Sequence, residues 1–313
     1  MAPILSAAVN GEHIASGGLD RSIRIWCRST GDCEAAIFDC EGYPLGLALS
    51  ADSLLCGEST SFDAPTLGVA QGEASKAAAA ATGASRARLW SMRLLLLSEG
   101  GAEPLCAYAE HTGAICSVGL GESIAVSAGF SDLTARAWPL GRSGQPPSLA
   151  VMTHPAAVCS VSVNYASTLV ATGCADGNVR LWNPHFTSRA CVRILRHSGD
   201  GGTVSCVRLN SGMLLSGGED GHVKLWSLAT DAGEADATEV TTLKGEIGVP
   251  VQGLAFSSLA GFIAVAAGDQ LVVWRPKLPM LAPSRRPSLA LSTPSSSFKK
   301  ARPVGSSKWP AQV

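Results

Sequence analysis

The chain has 313 residues, 46% of them hydrophobic and 16% charged, with 24 Lys and Arg against 25 Asp and Glu. This length and apolar fraction allow a substantial buried core, yet no apolar run approaches the roughly 18 residues of a membrane span, and the start MAPILSAAVNGEH lacks the basic flank of a secretory signal. Eight of the basic residues fall between Arg275 and Val313, where no acid occurs, leaving 16 basic against 25 acidic residues before them; so acidic a body excludes a surface that grips DNA or RNA phosphates.

In chain order, ILSAAVN reads as a first strand, and HIASGGLDRSIRIWCR, which reaches Trp26, as two more joined by a tight turn. A fainter copy, GASRARLWSM at Trp90, follows an Ala-, Gly- and Ser-rich stretch, about residues 59–85, that separates the second and third strands of its unit. That stretch reads as a mobile loop, since its alanine run is too short for a stable isolated helix; a partner-docking loop is the functional alternative. Three clear copies come next: AVSAGFSDLTARAWPL at Trp138, LVATGCADGNVRLWNP at Trp182 and LLSGGEDGHVKLWSL at Trp226. A last weak one, IAVAAGDQLVVWRP, ends near Trp274. The tryptophans are 64, 48, 44, 44 and 48 residues apart, and a period in the forties is a repeat architecture.

Each copy ends in an alternating strand of the half-buried kind. Asp20, Asp132, Asp176 and Asp220 lie six residues before their Trp, where an Asp can fix a tight turn by bonding its own backbone. Ser16, Ser127, Thr172 and Ser216 lie four or five residues earlier still, and His111, His154 and His197 precede their Trp by 27 to 29 residues. These residue types can form one buried chain of hydrogen bonds, from Asp to His to hydroxyl to indole, which is useful only when every member is satisfied.

The pattern resembles the WD40-repeat family over about residues 1–276. The resemblance implies an all-β fold, a β-propeller of four-stranded antiparallel blades, six of them visible in the sequence. It implies structural tetrads of His111, Ser127, Asp132 and Trp138, of His154, Thr172, Asp176 and Trp182, and of His197, Ser216, Asp220 and Trp226. Partial sets come from Ser16, Asp20 and Trp26, from Trp90, and from Asp269 and Trp274. The Asp that often follows the family's Trp is replaced by Cys27, Ser91, Pro139, Asn183, Ser227 and Arg275. The unit at Trp90 lacks a turn Asp, and Asp269 stands one residue too near Trp274, so those two blades are expected to be the least rigid. ILSAAVN is an innermost strand with no outer strand before it, and the last unit stops at its third strand; either a six-bladed ring closes imperfectly or a segment is missing.

None of the ten cysteines forms a C-x-x-C pair, and Cys116, Cys159 and Cys206 recur at nearly equivalent strand positions, as small core residues do in a reducing compartment. Cytosol or nucleus is the expected location. A His, Ser and Asp set could suggest a hydrolase, but a triad is needed once, at a cleft, and this one occurs three times. Without an H-E-x-x-H, a G-x-S-x-G or a P-loop, the chain is expected to be no enzyme and to use no metal or cofactor.

Binding remains. The resemblance implies a protein-docking face built by the turns and by the loops leading into each innermost strand: Leu19, Ser131, Ala175 and Glu219 from the first, Thr112, Pro155 and Asp200 from the second. The leading expectation is a non-catalytic scaffold or adaptor for proteins or peptides, with no nucleic acid and no membrane as partners. The alternative is a substrate-recruiting subunit of a cullin-type ubiquitin ligase, since WSMR (Trp90 to Arg93) partly matches a W-D-x-R docking motif without its Asp. Residues 277–313, rich in Pro and Ser, are expected to be disordered. There Arg285 and Arg286, then Lys299, Lys300 and Arg302 after twelve residues, resemble a bipartite nuclear-localisation signal. RRPS resembles a basophilic-kinase site with Ser288 as acceptor, where phosphate would oppose the basic clusters.

Overall fold

The computed structural model describes residues 2–38, 40–60, 85–98, 102–185, 191–199, 201–210, 212–231, 234–243, 249–257 and 262–275. Asp200, most of the 59–85 stretch, and the 277–313 segment with Arg285, Arg286, Ser288, Lys299, Lys300 and Arg302 lie outside the described residues.

Six antiparallel sheets follow one another along the chain, each folding up and down without a crossover. Blade 1 is Ile4–Val9 (β1), His13–Gly18 (β2), Ile23–Cys27 (β3) and Cys33–Ile37 (β4). Blade 2 is Tyr43–Leu49 (β5), Ser53–Ser59 (β6), Arg86–Ser91 (β7) and Cys106–Tyr108 (β8), with a short helix, Met92–Leu97 (α1), after β7. Blade 3 is Ile115–Leu120 (β9), Ile124–Gly129 (β10), Thr134–Pro139 (β11) and Ala150–Thr153 (β12). Blade 4 is Val158–Val163 (β13), Val170–Cys174 (β14), Asn178–Trp182 (β15) and Cys191–Arg196 (β16). Blade 5 is Val204–Leu209 (β17), Met213–Gly218 (β18), Val223–Asp231 (β19) and Glu234–Leu243 (β20). Blade 6 holds three strands among the described residues, Val251–Ser257 (β21), Phe262–Ala267 (β22) and Gln270–Trp274 (β23). The molecule is an all-β, six-bladed propeller. The helix α1 escaped the sequence reading; Ser91 caps it, and Met92 and Leu95 drop into the core.

The core lies between blades, not within them. The third-strand Trp of each blade from 2 to 5 packs back onto the blade before it: Trp90 with Ile23 and Ile25, Trp138 with Ala87 and Leu89, Trp182 with Ala135 and Ala137, Trp226 with Val179 and Leu181. Trp274 packs partly buried against the same kind of face, with Val223 and Leu225. The second strand must be thin for the next blade to approach. A Cβ on Gly217 would meet Val251 Cγ1 at 2.6 Å, so glycine is required there by close packing.

Every innermost strand skips one residue near its start, as at Ile4/Ser6, Val158/Ser160 and Val251/Gly253. Such a bulge bends the strand and strengthens its twist. Cys116 and Cys159 are the skipped residues of their strands and Cys206 is one place further on, which is how the three come to be nearly equivalent. Serines then stitch innermost strands together across blades: Ser6 Oγ donates to Pro44 O at 2.6 Å, while Ser160 and Ser162 Oγ accept from the N–H groups of Val207 and Leu209 at 3.1 and 3.0 Å.

Candidate functional site

The turns joining second to third strands share one construction. In blades 1, 3, 4 and 5 the turn Asp accepts the N–H of the residue two places on: Ser22 at 3.2 Å, Thr134 at 3.1 Å, Asn178 at 3.1 Å and His222 at 3.0 Å. The residue between them is left-handed, with φ of 57° at Arg21 and Leu133, 79° at Gly177 and 73° at Gly221. A second bond fastens each turn to the loop entering its own innermost strand, from Leu19 N to Pro3 O, Phe130 N to Ala114 O, Ala175 N to Ala157 O and Glu219 N to Thr203 O, all 2.8–2.9 Å. Turn residues and loop residues are thereby brought onto one face. Thr112, Ser131, Pro155 and Glu219 are exposed on it, and Leu19 and Ala175 are half-buried. Beside Glu219 a cleft of about 500 Å³ is bounded by His197, Gly202, Asp220, His222 and Lys224.

Beneath this face sit the locks, and they differ from blade to blade. In all four blades with a hydroxyl, the indole N–H donates to it: Trp26 to Ser16 at 2.8 Å, Trp138 to Ser127 at 2.8 Å, Trp182 to Thr172 at 2.9 Å and Trp226 to Ser216 at 2.9 Å. Only blade 3 completes the expected chain, with His111 Nε2 on Ser127 Oγ and Nδ1 on Asp132 Oδ2, both at 2.7 Å. In blade 4, His154 Nε2 reaches Thr172 at 2.8 Å, but Nδ1 bonds Met152 O at 3.0 Å. Asp176 has turned to Arg180, which it holds through both guanidinium nitrogens at 3.1 and 2.5 Å. In blade 5 the ring is reversed: His197 Nδ1 meets Ser216 at 2.8 Å, and Nε2 stands 3.5 Å from Asp220, which is shared with His222 at 3.5 Å. The expectation of three complete tetrads is therefore corrected to one, because Arg180 takes the turn carboxylate in blade 4 and the reversed ring leaves His197 Nε2 3.5 Å from Asp220 in blade 5.

Blade 2 has a different lock, which the sequence reading missed. Cys56 stands opposite Arg88 where blades 1, 3, 4 and 5 put Ser or Thr, and the Trp90 indole donates to Ala102 O at 3.1 Å. Two residues on, the buried Glu58 holds Arg88 through two bonds of 2.6 Å and accepts from Gly42 N at 3.2 Å. Arg88 also lies over the Trp90 ring at 5.2 Å. Bidentate, desolvated pairing of this kind makes up for the missing turn Asp; the signal that could have found it is the acid in SLLCGES followed by the Arg two residues before Trp. In blade 6, Val265 faces Val272 at the corresponding place and Asp269 is exposed.

The electrostatics are those of structure. Burial, helped by Arg180, lowers His154 to about 4, and burial lowers His197 as well. Against a burial that would raise it, the His111 bond keeps Asp132 down at about 2, and Arg180 likewise holds Asp176 well below the carboxylate range. Burial pushes the Cys116 thiol up to about 12 and Cys206 to about 11, so neither is a ready nucleophile. None of the ten cysteines is joined in a disulfide, and among the described residues no group of His, Cys, Asp and Glu is placed to hold a metal ion and no helix is long and apolar enough to cross a membrane. Trp90 is buried between blades 1 and 2, and Arg93 is exposed on α1.

The family model of the WD domain, G-beta repeat (WD40), matches residues 3–27, 147–183 and 189–227. No curated protein matches the chain. Among solved structures, the WD40 β-propeller domain of Doa1 is similar with a TM-score of 0.64 at 17% identity, over 88% of this chain and 79% of that one. The computationally designed Ika8 protein is similar with a TM-score of 0.57 at 18% identity, over 88% of this chain and 84% of that one.

Proposed function

We propose that the chain, a β-propeller whose residues 3–27, 147–183 and 189–227 match the WD40 repeat, is a non-catalytic interaction scaffold that presents its turn face to proteins or peptides within a larger complex. The fold is typical of protein-interaction modules. The observation that carries the reading is the set of exposed side chains, Ser131 and Glu219 on turns fixed by an Asp, and Thr112 and Pro155 on entry loops to which such turns are bonded. Rigid presentation lowers the ordering cost of binding. The His, Ser and Asp set supports no catalysis: His111 and Ser127 are buried, and the hydroxyl is already engaged by both indole and imidazole.

The test is affinity purification of the tagged full chain from its own cell, beside a variant carrying Thr112→Arg, Ser131→Arg and Glu219→Lys. The exposed positions predict an unchanged melting temperature with loss of the bound proteins. Recovery of the same proteins by both chains would remove this face from the account.

A further inference from the structure

Blades 1 to 4 each carry an arginine on the third strand two residues before the Trp, and each guanidinium is bonded to a carboxylate: Arg24 to Asp20, Arg88 to Glu58, Arg136 to Glu110 and Arg180 to Asp176. In blades 1 and 4 that carboxylate is the turn Asp itself. Blade 5 departs from this. Lys224 stands in the arginine's place, its ammonium over the Trp226 ring at 5.6 Å. The position just before the His, Glu110 in blade 3, is Arg196 here, exposed and turned to Gly199 O at 3.1 Å. Among the described residues no guanidinium reaches Asp220. It accepts the turn bond from His222 N at 3.0 Å, but it stands 3.5 Å from both His197 Nε2 and His222 Nδ1, too far for a hydrogen bond of normal strength. The His197 side chain is 0% exposed, and its Nε2 makes no hydrogen bond. Asp220 thus lacks both the imidazole bond of Asp132 and the guanidinium of Asp176.

The cleft of about 500 Å³ lies beside this carboxylate, bounded by Glu219, Asp220, His222 and Lys224 and by the loop glycines Gly199 and Gly202. We infer that it receives an arginine side chain of a partner protein, whose guanidinium takes on Asp220 the place that Arg180 takes on Asp176. Chemistry narrows the occupant to this. Two carboxylates against one ammonium turn away a phosphate or a carboxylate. A ligand ammonium would set a second point charge beside Lys224, whereas a flat guanidinium spreads its charge and bonds both oxygens of one carboxylate. Glu219, exposed next to Asp220, can hold the remaining N–H groups. The space exceeds one guanidinium, so the stem and adjoining backbone of a peptide can enter with it. The inference rests on the scaffold reading for a protein partner and names that partner's chemistry at one turn. Its test uses a small probe and none of the Thr112, Ser131 and Glu219 variants, so either can fail alone.

The experiment titrates the purified full chain with N-acetyl-arginine methylamide and follows the imidazole resonances of His197 and His222 by NMR. Both should shift and saturate. The corresponding lysine compound should bind more weakly by roughly tenfold, since an ammonium cannot make the two-pronged bond, and the uncharged citrulline compound should leave both resonances in place. Asp220→Asn keeps an acceptor for His222 N while removing the charge, and should abolish the response. Lys224→Arg should abolish it from the other side, by supplying the chain's own guanidinium to Asp220 as blades 1 and 4 do. Melting temperatures of the two variants report that each keeps its fold, and one folded variant is enough to decide. Absence of a saturable shift with the arginine compound would overturn the inference, as would equal binding of the lysine compound, which makes the cleft a general cation site. Undiminished binding by Lys224→Arg would overturn it too. So would shifts that appear only after Arg285, Arg286 and Arg302 are changed to Gln, because the chain's own tail would then be the occupant.

Discussion

Blades 3 and 4 carry the same four residue types at nearly the same spacings and bond them differently. In blade 3 the turn Asp holds the imidazole; in blade 4 it holds an arginine. Both blades have that arginine, two residues before the Trp. The difference is Glu110, which sits just before His111, bonds Arg136 and leaves Asp132 to the imidazole. Blade 4 has Thr153 in the place of Glu110, so Arg180 finds its carboxylate in Asp176. A residue outside the repeated motif therefore decides how the motif is wired.

The largest expected effect tests what the two wirings share. Trp138 and Trp182 are both buried and both bonded to a hydroxyl, so Trp138→Ala and Trp182→Ala should each cost about 3–5 kcal/mol in urea unfolding. Trp26→Ala, where the indole is only half-buried, should cost clearly less, and equal losses at all three positions would contradict the burial contrast. A second effect separates the blades by pH. His154 is held neutral in the folded chain down to about 4, against an ordinary value of 6.5. Between those values the unfolded chain binds a proton that the folded one refuses, so stability is full above 6.5 and falls on acidification to 4, by on the order of 3 kcal/mol. The blade 3 contribution of Asp132 is present above 3.8 and is lost only as pH falls toward 2. His154→Gln should flatten the upper window of a stability-versus-pH curve and leave the lower one; His197, also lowered by burial, supplies the remainder.

The propeller was legible because its determinants are local and repeated. The turn Asp, the hydroxyl and the Trp lie within eleven residues of one another, and each copy checks the rest. What could not be read depends on which side chains meet across the chain. The bond between Glu110 and Arg136 spans 26 residues, and that between Glu58 and Arg88 spans 30, across the stretch that interrupts blade 2. Neither is part of a repeated spacing, so periodicity says nothing of them. The hydroxyl stitches between innermost strands, such as Ser160 to Val207, skip a whole blade of 47 residues and were missed for the same reason. That Ile4 and Leu271 would be left facing solvent was not legible either, since exposure depends on which blades meet.

A smaller effect tests the wiring itself. Glu110→Gln should free Arg136 to take Asp132, as Arg180 takes Asp176, and leave the His111 ring without its charged partner. The expected cost is about 1–2 kcal/mol, the worth of one charge-assisted hydrogen bond. Thr153→Glu is the reverse change in blade 4, and the two together indicate whether one acid sets the choice. The loss of a slowly exchanging His111 imidazole proton in NMR spectra would report the switch directly; its survival in Glu110→Gln would mean that Asp132 is held by the turn alone.

The smallest effect lies in the turn between them. Blade 4 fills its left-handed position with Gly177, whereas blade 3 uses Leu133 at φ 57°. A side chain there costs roughly 1–2 kcal/mol of backbone strain, and glycine gives back roughly 0.5–1 kcal/mol through its freer unfolded chain. Leu133 is 38% exposed and its carbonyl, not its side chain, makes the turn's bond to His154 N at 2.9 Å, which glycine keeps. Leu133→Gly should therefore stabilise the protein by about 0.5 kcal/mol, while Gly177→Ala should destabilise it by about 1 kcal/mol, since the new Cβ also meets Gly202 O at 3.2 Å. If Leu133→Gly instead lowers the urea midpoint, the leucine is tolerated in a strained conformation because its side chain packs, and the docking face of blade 3 is held by burial as well as by its turn.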